Sequence, residues 1–397
     1  MKIVAIVAEY NPFHNGHAGH IKKTRRLIND ETAIVCIMSG NYVQRGDIAV
    51  FNKHKRAETA VMNGADLILE LPTPYVLMSA EGFADAGIRI LDALNICDHI
   101  SFGSEANDIN LLKDTAEIIM SNKAGAITKE QLDEGVSYAS AQQHAANILM
   151  GKNADVFKSP NNVLGIEYLK ALKRIDSKMK PVTVSRTGGE HDSDTGCSAS
   201  AIRKILLSGD IPEALLPDSV IEICKREILS GRGPVSIENA EQALLSRLRA
   251  VSDFFEILGI SEGLDQRFKK NVSAEPTIES ILMKIKTKRY PMSRLRRILI
   301  CAALNITKEY KIITPPYIKV LAMNDTGMNI LKQARKKAKL PIITKPAAVS
   351  KLCETSKKLF NLESSATDLY TLAYQNKNER TGSSEWRTSP VIINIRV

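Results

Sequence analysis

The sequence predicts an α/β protein: an open parallel sheet with helices on both faces, continued by a mostly α-helical C-terminal domain. Short apolar runs alternate with stretches of helical spacing through the first half, and that repetition calls for parallel pairing with crossovers. The segments after those runs are polar and carry glycine, histidine and arginine together; in such sheets ligands bind outside the carboxyl ends of the strands. Beyond about residue 210 the strand signal fades and helical spacing takes over.

"KIVAIVA" (2–8) opens the sheet, since an unbroken apolar run suits a strand covered on both faces. Helical spacing in "HIKKTRRLIN" leads to a second strand, "TAIVCIM" (32–38); "NKHKRAETAVMN" leads to "ADLILEL" (65–71), and "EGFADAGIRILDAL" to "HISFG" (99–103). "PVTVS" (181–185) is the last strand of this half. The loops "EYNPFHNGH", "SGNYVQRGD", "FGSE" and "SRTGGEHDSD" then gather at one rim. Gly209, Pro212 and Pro217 in "LSGDIPEALLP" interrupt the pattern and divide the chain into domains 1–210 and 211–397. In the second domain "VIEICKREILSG", "ENAEQALLSRLRAVSDFFEILG", "SILMKIKTKRYPMSRLRRILICAALN" and "GMNILKQARKKAK" read as helices.

A chain of 397 residues, 44% hydrophobic and 25% charged, is long enough for a sizeable core and is neither disordered nor fibrous in composition. No apolar stretch approaches the roughly 20 residues that cross a bilayer. Glu9 stands where a signal peptide's cleavage site would come, so a cytoplasmic protein without a membrane partner is expected. Cys36, Cys97, Cys197, Cys224, Cys301 and Cys353 lie far apart with no CxxC pair, which fits reduced thiols rather than a zinc cage or disulfide framework. A net charge of +10 favours a polyanionic partner such as nucleic acid.

The densest chemistry follows the first strand. His14 and His17 flank Asn15 and Gly16 at a strand-to-helix turn, where imidazole N–H groups and the free N–H groups of the helix point into one space. Gly16 leaves the backbone open to close approach, and Pro12 stiffens the turn. Such a site suits displacement at a nucleotide α-phosphate, where donors stabilise the departing pyrophosphate and no covalent intermediate is needed. Two other readings stand beside it: a metal site from His14, His17 and His20, and a capped turn whose histidines are incidental. A triphosphate has a second end to hold, and "SASAIRK" (198–204) supplies a helix start in which Ser198 or Ser200 can cap while Arg203 faces phosphate.

HNGH with a later Ser-x-Ser-x-Ile-Arg is similar to the HxGH and ISSTxIR pair of the nucleotidylyltransferase superfamily, with departures at Cys197 and Ala199. The longer strings "VAEYNPFHNGH", "MSGNYVQRGD", "ADLILELP", "FGSE", "SPNNVLG" and "KTKRY" resemble the bacterial tRNA(Met) cytidine acetate ligase family over almost the whole chain. The resemblance implies a Rossmann-like nucleotidylyltransferase domain that uses ATP, with Mg²⁺ on its phosphates, to make acetyl-adenylate from acetate. The acetyl group then passes to the wobble cytidine of elongator tRNA(Met), giving N(4)-acetylcytidine.

His14, His17 and Arg203 would carry the catalysis. The implied ATP site comprises Val7, Ala8, Glu9, Tyr10, Asn11, Pro12, Phe13, His14, Asn15, Gly16, His17, Ala18, Gly19 and His20. Gly103, Asn161 or Asn162, Arg186, Thr187, Ser198 and Ser200 complete it. For tRNA, "KIKTKRYPMSRLRR" holds Lys284, Lys286, Lys288, Arg289, Arg294, Arg296 and Arg297 with no acid, and Tyr290 within it offers a ring for stacking. "LKQARKKAK" adds Lys332, Arg335, Lys336, Lys337 and Lys339. No protein partner is expected. A small-molecule adenylyltransferase, or a nucleotide-sensing RNA-binding protein without turnover, are the alternatives.

Overall fold

In the structure, a computed structural model, residues 1–28, 31–186, 198–261 and 263–394 are described. Its strands are β1 (Ile3–Ala8), β2 (Ala33–Ser39), β3 (Tyr42–Val43), β4 (Asp47–Ile48), β5 (Leu67–Leu71), β6 (His99–Ser104), β7 (Lys180–Ser185), β8 (Ile318–Asn324), β9 (Ile342–Ile343) and β10 (Val391–Ile393). An eight-stranded sheet has the order β10-β8-β5-β2-β1-β6-β7, with β9 pairing β8; β3 and β4 form a separate hairpin on the rim after β2. The five strands read from the sequence, β5, β2, β1, β6 and β7, are parallel neighbours, and the α/β class is as expected.

Period-two alternation sorts the sheet's side chains onto two faces. Ile3, Ala5, Val35, Ile37, Leu67 and Leu69 pack on one face with Ile88 and Leu91 of the helix Ala80–Leu94 and Ile166 and Leu169 of the helix Pro160–Arg174. Val4, Ile6, Ile34, Cys36, Met38 and Ile68 pack on the other with Ile21, Ala57, Val61, Ile202 and Leu206. Burial on both faces is why these strands read as unbroken apolar runs.

The C-terminal half is not wholly helical. β8, buried along its length, lies antiparallel to β5, and β9 and β10 pair with β8, so strands from beyond residue 210 complete the sheet begun by the first half. "SILMKIKTKRYPMSRLRRILICAALN" is two helices, Ile278–Ile285 and Met292–Ala303, because Pro291, at the N-cap of the second, lacks an N–H and disfavours helical backbone at the residue before it. The helix in "ENAEQALLSRLRAVSDFFEILG" ends at Arg249. No helix among the described residues is long and apolar enough to cross a membrane.

A buried charge cluster joins the two halves. Lys53 Nζ lies 2.6 Å from Glu70 Oε1 and 2.8 Å from Glu385 Oε2; Lys319 Nζ lies 2.9 Å from Glu70 Oε2 and also touches Glu385. All four side chains are at most 5% exposed. Glu363 beside them accepts from Thr73 N at 2.7 Å and Thr73 Oγ1 at 3.0 Å. Burial and the Glu70 charge push its pKa up to about 7, so below that pH two cations face two anions.

Candidate active site

The helix Asn15–Ile28 starts directly after the β1 turn. Tyr10 takes φ 45°, unusual for a side chain of its size, and the surroundings hold it there. Tyr10 and Phe13 are buried with their rings 4.9 Å apart, and Asn11 Oδ1 accepts from Val50 N at 2.9 Å. Arg56, 1% exposed, donates to the carbonyls of Glu9, Ser39, Gly40 and Phe51, fastening the ends of β1 and β2 together. The side chains of Tyr10, Asn11 and Phe13 therefore build the turn. Pro12 is buried with them, while Asn15 is exposed and donates to the Ala214 carbonyl at 3.2 Å.

The two imidazoles lie 3.8 Å apart, centroid to centroid. His14 N–H donates to His17 Nδ1 at 3.3 Å, and Gly16 N–H donates to His14 Nδ1 at 3.1 Å. With each Nδ1 accepting, each neutral ring carries its proton on Nε2. Burial foremost, then the Arg186 charge, brings the His14 pKa down to about 4; burial and His14 hold His17 well below the ordinary value. Gly16 also serves the turn itself. A Cβ there would stand 2.9 Å from His14 Cε1, so the glycine lets the His14 ring fold back over the helix start. His20 Nε2 pairs with Ser101 Oγ at 3.0 Å on β6, and among the described residues no group of three or more His, Cys, Asp or Glu is arranged to hold a metal ion.

The ends of β6 and β7 meet the same turn. Arg186 lies over Gly103, where a Cβ would stand 2.5 Å from its Cδ, and donates to Asn161 Oδ1 at 3.3 Å. The two neighbouring asparagines have different surroundings. Asn162 is buried, its Oδ1 accepting from Ser104 Oγ (2.7 Å), Glu105 N (3.0 Å) and Ala106 N (3.2 Å), so it shapes the loop after β6. Asn161 stands on the rim with Arg186. Thr187 and Cys197 lie outside the described residues.

Ser198 caps the helix Ala199–Leu207, accepting from Ala201 N. Arg203 donates to the Asn11 carbonyl at 3.0 Å and to Ser200 Oγ at 2.9 Å, fastening this helix to the histidine turn. It sits among Asp47, Glu9 and Arg45, and Arg186 is the arginine whose charge reaches the imidazoles. The rim thus has two poles: His14, His17 and Arg186 at one, Glu9, Asp47, Arg45 and Arg203 at the other.

The basic segment 284–297 reaches the second pole. A Cβ on Gly46, at the tip of the β3–β4 hairpin with φ +76°, would run into the backbone of Arg296 and Arg297. Lys284, Lys286, Lys288 and Arg296 are exposed, and Arg289 is half-buried near Gly135. Three residues of this segment turn inward instead. Arg294 donates to Ser261 Oγ and the Gly259 carbonyl, Arg297 donates to the Gln44 carbonyl, and Tyr290, buried beneath Arg294 and Arg267, has no face open to a base. Lys332, Lys336 and Lys337 are exposed, but the Lys337 carbonyl accepts from Asn95, just before β6 begins, so that patch lies at the rim opposite the histidines. Arg335 pairs locally with Thr344, and Lys339 pairs with Asp92 on the helix Ala80–Leu94.

The sequence reading passed over Arg56, Gln44 and Asp47. A signal for the first was present: Lys53, Arg56, Ala57 and Ala60 share one helical face, an apolar-facing stripe with two charges in it.

The family model of the HIGH Nucleotidyl Transferases matches residues 1–385. The tRNA(Met) cytidine acetate ligase of Thermosipho melanesiensis is 36% identical over 99% of this chain and 99% of its own. That of Thermoanaerobacter sp. is 39% identical over 95% of this chain and 97% of its own. The crystal structure of Thermotoga maritima TmcAL bound with alpha-thio ATP superposes with a TM-score of 0.91 at 33% identity, covering 99% of this chain and 100% of that one.

Proposed function

Since this chain belongs to the HIGH Nucleotidyl Transferase family, we propose that it is a tRNA(Met) cytidine acetate ligase, which activates acetate on ATP and acetylates the wobble cytidine of elongator tRNA(Met). The observation that carries the reading is the pair of neutral imidazoles at the end of β1. Both present an Nε2–H donor beside Arg186, and neither is free to act as a base.

An acetate oxygen attacks the α-phosphorus, and the bond to the bridging oxygen of pyrophosphate breaks. Charge grows on that leaving oxygen, and fixed donors in a part-buried site stabilise it with no reorganisation during the step. His14 and His17 donate there and Arg186 offsets the phosphate charge, while Arg203 and Ser200 hold the second helix start against the turn. Asn161 and Gly103 frame the nucleoside side. ATP enters as its magnesium complex, with the cation on the phosphates. The mixed anhydride then acetylates the cytidine amine, whose lone pair, delocalised into the ring, is too weak a nucleophile for free acetate. The reading carries with it a cytoplasmic location, where tRNA is found.

ATP, labelled acetate and bulk tRNA test the reaction: acetylated tRNA is expected. An AMP-containing small molecule would make it an adenylyltransferase, and absence of any product would make it a binding protein. For tRNA the reading relies on Lys284, Lys286, Lys288, Arg289 and Arg296 of the basic segment whose Arg296 packs on the Gly46 hairpin. Neutralising Lys286, Lys288 and Arg289 together is expected to weaken tRNA binding and to lower the slope of log K against log salt by roughly one per side chain. Filter binding across a salt series checks this; an unchanged slope would mean the patch faces only water.

A further inference from the structure

On the reading of acetyl transfer just given, we propose that Glu9 is the proton acceptor of the second half-reaction, its carboxylate holding the exocyclic amine of the cytosine and taking its proton as the acetyl group arrives. The step balances. The cytosine N4 forms a bond to the acetyl carbon, the bond from that carbon to the phosphate oxygen breaks with its electron pair going to AMP, and the N4 proton moves to Glu9 and from there to water.

Three features of the site lead to this carboxylate. Its backbone is fixed, because the Glu9 carbonyl accepts from the buried Arg56, and its Oε1 is fixed, because Gln44 N–H donates to it at 2.6 Å. Among the described residues Oε2 has no hydrogen-bond partner, and the residue is only half-buried, at the pole where the basic segment meets the rim. The other bases nearby are spoken for. Both Nδ1 atoms of His14 and His17 already accept backbone N–H groups, and Asp47 Oδ1 turns back to Ile48 N at 2.8 Å.

The groups facing Glu9 suit cytosine. A carboxylate accepts from the N4 amine, and a neighbouring arginine can donate to the ring's O2 and N3 acceptors; Arg203 from the helix Ala199–Leu207 and Arg45 from the hairpin are both close enough to act on the Glu9 charge, as is Arg56. Tyr168, on the helix Pro160–Arg174, is near enough to feel the Glu9 charge. Burial raises the Glu9 pKa above the ordinary glutamate value against the pull of Gln44 N–H and these arginines, which makes it a better acceptor than a solvated carboxylate.

Glu9→Gln tests the assignment in the full chain with intact tRNA, since the amide oxygen can still accept from Gln44. Acetate-dependent ATP–pyrophosphate exchange reads the first half-reaction, and single-turnover transfer from enzyme-bound acetyl-adenylate reads the second. Transfer is expected to fall by about a hundredfold or more, as for loss of a general base, and exchange by much less. In the wild type, transfer is expected to rise with pH through a midpoint above the usual glutamate value, and this rise is lost in the variant. Near wild-type transfer in Glu9→Gln, an equal loss in both half-reactions, or a wild-type transfer rate independent of pH would each overturn the role. Absence of acetate-dependent exchange in the wild type would instead remove the acetate-activation reading beneath it.

Discussion

His14→Ala and His17→Ala each lower acetate-dependent ATP–pyrophosphate exchange by a factor on the order of 10² to 10³, the cost of removing one donor aimed at developing negative charge. The loss falls on the chemical step, so tRNA binding, proposed to rest on the basic segment 284–297, persists. Each substitution also strips a backbone N–H of its acceptor, Gly16 N–H for His14→Ala and His14 N–H for His17→Ala, and the helix start at Asn15 loosens. The pH profile gives an independent check. Burial, with the Arg186 charge behind it, brings the His14 pKa down to about 4, so both rings stay neutral donors through the ordinary imidazole range near 6.5. Exchange by the wild type should show no inflection there. A clear loss on acidification through 6.5, or near wild-type exchange in both alanine variants, would remove the donor role.

Lys319→Met costs on the order of 3–5 kcal/mol of unfolding free energy, measured by denaturant titration, because it leaves Glu70 and Glu385 buried with Lys53 as their one cation. Burial raises the Glu70 pKa, and Lys319 foremost, with Lys53, brings it down to about 2, so removing Lys319 takes away the larger share of what keeps this carboxylate charged in the interior. The double variant Lys319→Met with Glu385→Gln recovers much of the loss, since it removes one charge of each sign. A single substitution costing less than about 1 kcal/mol, the size of a surface ion pair, would show that water reaches the cluster.

How much of this could be read in advance follows the distance over which each feature is encoded. β1, β2 and β5 were legible because a parallel strand covered on both faces writes itself as a local apolar run. β8 was missed because Lys319 interrupts it, and Lys319 belongs there for the sake of Glu70, its register partner on β5, and of Glu385. β10 spans three residues, too few for a periodic signal. The histidine turn was legible as a local motif, and the role of Gly16 was not, since nothing in HNGH says that the His14 ring folds back on it. Composition marked 284–297 as basic but could not separate Lys286 and Lys288, on a connecting loop, from Arg294 and Arg297, which flank the buried face of a helix. Glu9 could be named only as part of a motif, because its anchor Gln44 lies 35 residues away.

The seating of β8 against β5 governs how this molecule comes into being. A ribosome that has delivered the histidine turn and the five parallel strands has made a sheet with a bare flank at β5, where the Lys53–Glu70 pair still lacks the Lys319 and Glu385 that complete its cluster. An open flank of that kind invites pairing with other chains. Prematurely terminated copies ending before β8 should therefore be cleared or clump rather than linger as half-enzymes that burn ATP and leak acetyl-adenylate.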